Sequence, residues 1–230
     1  PVEYHLPGIT QTQINLEKGY TFPEGLHSAL RQDPDVIMVG EIRDSDTAEI
    51  SVQSALTGHM VFSTLHTNNA AGVIPRLIDL GVNPKILVSA LSLSIAQRLV
   101  RKLCQFCKKE NDPTPEEAAT IKLVLDSMKE EGKDVSKYNI KTDASFKIFS
   151  AVGCDKCNKI GYKGRIGIFE AIRTDEAIEK IIPENPSEHE IKKVAHSQGI
   201  LSMREDGIVK ILNGITSIEE VQSVVDLKEE

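Results

Sequence analysis

The chain has 230 residues, enough for one or two domains with cores of useful size. Apolar residues make up 40% and charged residues 27%, with no tryptophan and few aromatics, so the composition is that of an ordinary globular protein with an aliphatic core. A net charge of −7 argues against nucleic acid as the main partner, and the absence of any run of 18 apolar residues argues against a membrane span.

The chain opens on Pro1-Val2-Glu3-Tyr4, with neither an initiator Met nor a signal peptide, and is expected to be a fragment. Pro7-Gly8 marks a turn. Residues Ile9 to Leu16 alternate too imperfectly to predict a firm strand. Phe22-Pro23-Glu24-Gly25 opens a helix carrying Leu26, Ala29 and Leu30 on one face.

The stretch Asp35-Val36-Ile37-Met38-Val39-Gly40-Glu41-Ile42-Arg43-Asp44 organises the chain. Four apolar residues are too few for a helix and predict a fully buried central strand. Glu41 leaves its carboxyl end, where ligands bind in open α/β sheets and where a carboxylate suits a magnesium-phosphate site. Without further spelling, the same pattern fits a buried strand with an inert polar end. Asp46 is expected to start the next helix, with Glu49 in the capping-box position and Gly58 at its C-terminal cap. Met60 to Leu65 then predicts a second strand, and strand-helix-strand implies a right-handed crossover and a parallel pair.

His59 and His66 flank that second strand, roughly 20–23 Å apart at strand rise, too far to share a metal. Each alone reads as a hydrogen-bonded structural residue. His66, however, leaves the strand at the same edge as Glu41, where an imidazole can donate a hydrogen bond to a phosphate. Residues 68–100 read as two helices, broken at Gly81 and restarted at Pro84, the second carrying Leu87, Leu91, Ile95 and Leu99.

Cys104-Gln105-Phe106-Cys107 and Cys154-Asp155-Lys156-Cys157 supply four thiolates, the donor set of a tetrahedral zinc with no open coordination position. Such a zinc is structural, not catalytic. With no export signal, a reducing compartment and a metal fit these cysteines better than disulfides; two redox pairs or unrelated reduced thiols are the alternative. The 46 residues between the pairs exceed the usual spacing. Growing a loop from about 17 residues to that length costs only about 0.9 kcal/mol, against the roughly 10–16 kcal/mol that structural zinc contributes. Pro113-Thr114-Pro115-Glu116-Glu117 starts a helix in this insert. The polar run from Glu130 to Ser145 reads as a surface excursion. Past the second pair, Gly161 to Glu170 reads as turn then strand, with Lys163 and Arg165 either a partner-binding patch or a solvated turn. Residues 174–230 predict three or four short helices, one with Ser217 and Glu220 as a capping box, and carry no chemistry.

Three of these segments, in this order, resemble the GspE/PilB family of type II secretion and type IV pilus assembly ATPases. The first is the atypical Walker B box, in which Gly40 stands in the aspartate position and Glu41 comes next. The second is the His box, Gly58 to Thr67, and the third is the paired Cys-x-x-Cys. Pro1-Val2-Glu3-Tyr4 matches the end of the family's acidic Asp box. The resemblance runs from Pro1 to about Val225 and implies an α/β, RecA-like P-loop ATPase core, here partial and with a parallel sheet, over residues 1–100. It also implies a tetracysteine zinc-binding subdomain (101–172) and a C-terminal helical subdomain (173–230). On the same resemblance Glu3 is the carboxylate activating the attacking water and Glu41 the magnesium-orienting group. Arg43, His59 and His66 become nucleotide- or phosphate-sensing residues, His59 the more structural of the histidines. Cys104, Cys107, Cys154 and Cys157 become zinc ligands. Glu3 reads equally as a frayed surface residue.

The resemblance further implies ATP and Mg2+ as cofactors, a homo-hexamer, an inner-membrane platform protein as partner, and a cytoplasmic location at the periphery of the bacterial inner membrane. The family's P-loop, Gly-x-x-x-x-Gly-Lys-Ser/Thr, is missing from this sequence, so the piece alone is expected to bind ATP weakly or not at all. A non-catalytic zinc-stabilised interaction module is the competing class. A zinc hydrolase is disfavoured, because it needs histidine or carboxylate ligands and an open site.

Overall fold

The computed structural model describes residues 2, 4–140 and 146–228. The chain divides into two compact units, one of Pro1–Ser94 with Arg173–Lys193 and one of Ile95–Ile172 with Val194–Glu230. This partition departs from the three consecutive segments expected from sequence, since residues 173–193 group with the first unit.

In the first unit, α1 (Phe22–Leu30) starts at a capping box formed by Thr21 and Glu24. Strand β1 (Val36–Val39) pairs in parallel with β2 (Met60–Ser63), in the register Val36↔Met60 to Val39↔Ser63. Between them runs α2 (Ser45–Leu56), the crossover of a βαβ unit. Its cap is Asp44, whose Oδ1 accepts from Thr47 N at 2.8 Å, so the helix starts one residue before the expected Asp46. The expected burial of β1 on both faces is corrected. Ile37 and Val39 pack with Leu26, while Val36, Met38, Met60 and Phe62 are exposed, Met38 at 73%. A loop over residues 64–72 leads to α3 (Val73–Asp79) and α4 (Pro84–Ala90), the latter capped by Asn83.

The helix expected to continue to residue 100 ends at Ala90, and Leu91 is extended. Strand β3 (Leu93–Leu103) replaces its second half and pairs with β6 (Tyr162–Arg173). A spacing of four is also a multiple of two, so Leu91, Ile95 and Leu99 fit one face of a strand as well as one stripe of a helix.

In the second unit, β4 (Lys109–Asn111) and β5 (Ile148–Ser150) form an antiparallel pair. The insert between the cysteine pairs contributes to the core. Helix α5 (Pro115–Glu130), opened by a Thr114–Glu117 capping box, buries Ile121, Val124, Leu125 and Met128. Beyond it Lys133 is also buried, its Nζ 2.6 Å from Glu131 and 2.7 Å from Glu205, so the polar run is not wholly a surface excursion. Residues 141–145 of that run lie outside the described residues. Of the C-terminal helices, α6 (Glu176–Ile181) belongs to the first unit. Helix α7 (Glu188–Ala195) begins there, and α8 (Met203–Leu212) and α9 (Ile218–Gln222) belong to the second. The expected Ser217–Glu220 capping box does not form. Ser217 Oγ lies 2.9 Å from Tyr162 OH, and Glu220 instead takes the Arg101 backbone N–H and guanidinium.

Candidate functional sites: a charged strand edge and a four-cysteine cluster

Parallel pairing brings the carboxyl ends of β1 and β2 to one edge, and the pairing continues past the strands. Ile42 N donates to Thr64 O at 2.9 Å, and Thr64 Oγ1 donates to Gly40 O at 2.7 Å. The crossing does not depend on glycine at position 40, since an added Cβ there would meet nothing within 4 Å. These bonds place Glu41 opposite the loop that carries His66. His66 Nε2 lies 3.4 Å from Glu41 Oε2, and Arg43 Nε donates to the same oxygen at 2.6 Å. The Arg43 hydrogen bond, aided by His66 and only partly opposed by desolvation, holds the Glu41 carboxyl below its ordinary pKa. The side chains of Arg43 and His66 are mostly exposed, at 67% and 77%, so the edge is open to solvent.

An ionised carboxylate flanked by a guanidinium and an imidazole can hold a hydrated divalent cation and offer donors to phosphate oxygens. His59 is not brought to this edge. It lies before β2, with Nδ1 3.0 Å from Ser54 O and 3.2 Å from Thr57 Oγ1, at the C-terminal end of α2. Glu3 lies outside the described residues.

The second site is in the other unit. Cys104, Cys107, Cys154 and Cys157 offer sulfur atoms that all lie within 4.8 Å of one another. Cys104–Cys154, Cys107–Cys157 and Cys154–Cys157 are 3.9, 3.8 and 3.8 Å apart. Four sulfurs at about 2.3 Å from a central zinc stand about 3.8 Å apart in a tetrahedron, so the spacing fits that ion.

Each Cys-x-x-Cys is bent into a tight turn by its own backbone, with Cys107 N donating to Cys104 O and Cys157 N to Cys154 O. Gly153 sits at φ 106°, and a Cβ there would overlap the Lys159 carbonyl, so the second turn requires glycine at that point. Lys156 lies over the Phe106 ring at 3.7 Å, tying one turn to the other.

Burial acts to raise the Cys157 thiol, but N–H donors from Cys154 and Gly161, 3.2 and 3.3 Å from its sulfur, outweigh it and hold it at about 6. Burial, reinforced by the neighbouring sulfurs, pushes Cys107 up to about 12. Four thiolates at this spacing repel one another, and a divalent cation at their centre resolves that repulsion. The set has no open position for a substrate.

Sequence reasoning missed two further features. Asn69 in the 64–72 loop donates to Glu188 at the start of α7, and Lys133 joins Glu131 to Glu205. Neither pairing has a local signal, because the partners Asn69 and Glu188 are 119 residues apart and Lys133 and Glu205 are 72 apart.

Residues 1–223 match the family model described as Type II/IV secretion system protein. The type IV pilus assembly ATPase PilB of Pseudomonas aeruginosa is 46% identical over 224 residues, covering 97% of this chain and 37% of that protein. The type II secretion system ATPase E of Vibrio cholerae is 44% identical over 225 residues, covering 97% and 41%. PilB of Thermus thermophilus is 45% identical over 221 residues, covering 96% of this chain and 23% of that protein. The chain therefore spans about two-fifths or less of the length of these relatives. Among solved structures, the pilus retraction motor PilT with bound ADP shares the fold at a TM-score of 0.58 and 24% identity, covering 90% of this chain and 44% of that one. The Legionella pneumophila ATPase DotB does so at 0.55 and 22%, covering 89% and 42%.

Proposed function

The chain belongs to the type II/IV secretion system protein family, in its GspE/PilB branch, and from that premise we propose that it is part of an ATP-hydrolysing motor for type II secretion or type IV pilus assembly. The observation that carries the reading is the convergence of Glu41, Arg43 and His66 at the carboxyl edge of two parallel strands. Magnesium and ATP supply the electrophilic phosphorus and its counter-charge when bound. Glu41 orients the cation, directly or through water. His66 reports the γ-phosphate by a hydrogen bond, Arg43 adds a second phosphate-sensing donor, and Glu3 activates the attacking water. His59, bonded at the end of α2, supports the strand and serves phosphate sensing indirectly.

The four cysteines hold a structural zinc that fixes two turns far apart in sequence. The motor works as a homo-hexamer at the cytoplasmic periphery of the bacterial inner membrane, against a platform protein. The family and the pilus-assembly and secretion ATPases among the relatives support a motor of this kind. Among the described residues no helix is long and apolar enough to cross a membrane. Residues 1–94 with 173–193 serve as the core, and 95–172 with 194–230 as the zinc and C-terminal helical part, in place of the segments 1–100, 101–172 and 173–230. The second reading, a non-catalytic zinc-stabilised interaction module, is favoured by the closed donor set and describes the chain when no P-loop accompanies it.

Calorimetry with magnesium-ATP distinguishes them, run on this chain and on one extended upstream to include a P-loop. Binding by the longer chain only is the expected result. Binding by neither would make the zinc module the leading account.

A further inference from the structure

We infer that Glu188 is a positioning residue for the loop that carries His66, an inference that rests on the reading of His66 as a phosphate sensor. Residues 64–72 have no regular structure, so beyond the Ile42–Thr64 backbone bond, side-chain bonds help to fix the path of the chain from β2 to α3. Asn69 takes part in three of them. Its Oδ1 accepts from Gly72 N at 2.9 Å, and its carbonyl accepts from Thr67 Oγ1 at 3.0 Å. Its Nδ2 donates to Glu188 Oε1.

The other carboxylate oxygen lies against Gly72, where an added Cβ would come within 3.4 Å of it. Lys192, one turn on, lies 3.1 Å from Glu188 Oε1, the oxygen that also accepts from Asn69. The Asn69 bond, with Lys192 the lesser contributor, keeps this carboxyl ionised below its ordinary range. A Ser187–Glu190 capping box fixes the start of the helix that carries Glu188. Glu188 is therefore an anchored acceptor, and the loop hangs on it three residues after His66. Both partners lie in the first unit. Removing the carboxylate releases Asn69, lets the loop relax and takes His66 from its place beside Glu41.

The test has two readouts. In this chain, 1H–13C spectra of the His66 ring report position without catalysis. Glu188→Ala should shift or broaden the His66 signal and leave that of His59 in place. Glu188→Gln, which keeps an oxygen for Asn69, should leave both unchanged. An unmoved His66 signal in Glu188→Ala overturns the inference. Should that variant fail to fold, Asn69→Ala removes the donor instead and must move the same signal.

In the full-length ATPase, Glu188→Ala should lower kcat on the order of 10- to 100-fold, the scale of a misplaced catalytic group, with KM for magnesium-ATP unchanged. Glu188→Gln should restore most of it, and Glu188→Ala added to His66→Ala should cost nothing further. A multiplicative double variant, or a normal kcat in Glu188→Ala beside an impaired His66→Ala, overturns the inference. A normal kcat in His66→Ala, with its ring signal still moved by Glu188→Ala, overturns the phosphate-sensor reading and leaves the structural link standing.

Discussion

Glu41 and His66, 25 residues apart, meet at 3.4 Å because two parallel strands end at the same edge and stay bonded beyond their ends. The carboxylate is polarised further by Arg43 at 2.6 Å. On the proposed function, Glu41→Gln in the full-length protein keeps the shape of this edge and removes the charge proposed to orient a cation. Hydrolysis should fall by at least about 100-fold, the usual scale for losing a preorganised charge at a phosphoryl site. A steady-state phosphate-release assay decides it, and an unchanged rate would remove Glu41 from the site.

Arg43 sets the charge state of Glu41. With the guanidinium beside it, the carboxyl titrates below its ordinary range, so the group is fully ionised above that range and loses its charge only as pH falls through the lowered pKa. Arg43→Gln should move the Glu41 carboxyl titration upward, back toward the usual carboxylate value, in 13C spectra of this chain. Because the pair is exposed and screened, the stability of the chain should hardly change.

Much of this edge was legible in the sequence. Four apolar residues and then Gly-Glu make a short strand with a polar exit, and the helix between two such runs leaves only a parallel pairing. The limits are equally physical. A period of four in Leu91, Ile95 and Leu99 satisfies helix and strand alike, and only pairing with the strand Tyr162–Arg173 decides between them. Ser217 and Glu220 carry the spelling of a capping box, yet Arg101 offers Glu220 a charge-assisted bond that a backbone amide cannot match. The burial of β1 on one face only is set by which apolar residues the fold brings to it, a property the four letters themselves do not encode.

The cysteine cluster predicts one zinc per chain. Cobalt substitution should give the intense visible bands of tetrahedral thiolate coordination, and Cys104→Ser or Cys157→Ser should abolish them and lower the melting temperature. Metal binding requires deprotonated thiols. Retention should therefore be complete near neutrality and fail as pH falls. Bands characteristic of mixed nitrogen and oxygen ligation would revive an open, hydrolytic site.

Lys133 lies between Glu131 and Glu205, with Lys133 and Glu205 side chains only 3% and 2% exposed. Removing the lysine alone leaves the buried Glu205 carboxylate without a counter-charge and the part-buried Glu131 with only His196 beside it. Lys133→Met should cost about 3–5 kcal/mol in urea unfolding, whereas Lys133→Met with Glu205→Leu should recover only part of it, because Glu131 still lacks its lysine counter-charge and Ser202 N loses the Glu205 oxygen that caps α8. Burial acts to raise the Glu131 carboxyl, but Lys133 and His196 outweigh it and hold it below its ordinary pKa. Its contribution is present above the ordinary carboxylate range and is lost as pH falls through the lowered value. Acid unfolding should accordingly begin at higher pH in Lys133→Met.

Gly207 sets two local rules against each other. It lies within α8, where alanine would be favoured by about 1 kcal/mol through helix propensity alone. Its added Cβ, however, would lie 2.6 Å from Val221 Cγ1 on α9, and Val221 is fully buried with no room to retreat. Overpacking of this kind costs about 1–3 kcal/mol and should outweigh the propensity gain. Gly207→Ala is expected to lower stability. Val221→Ala alone should lower it as well, by leaving a cavity. The two together should cost less than their sum, because the alanine methyl at 207 enters the space that the valine methyls leave. A double-variant cycle in denaturant measures the coupling. A purely additive result would mean that α8 and α9 move apart to accept the methyl, and that Gly207 is not what fixes their separation.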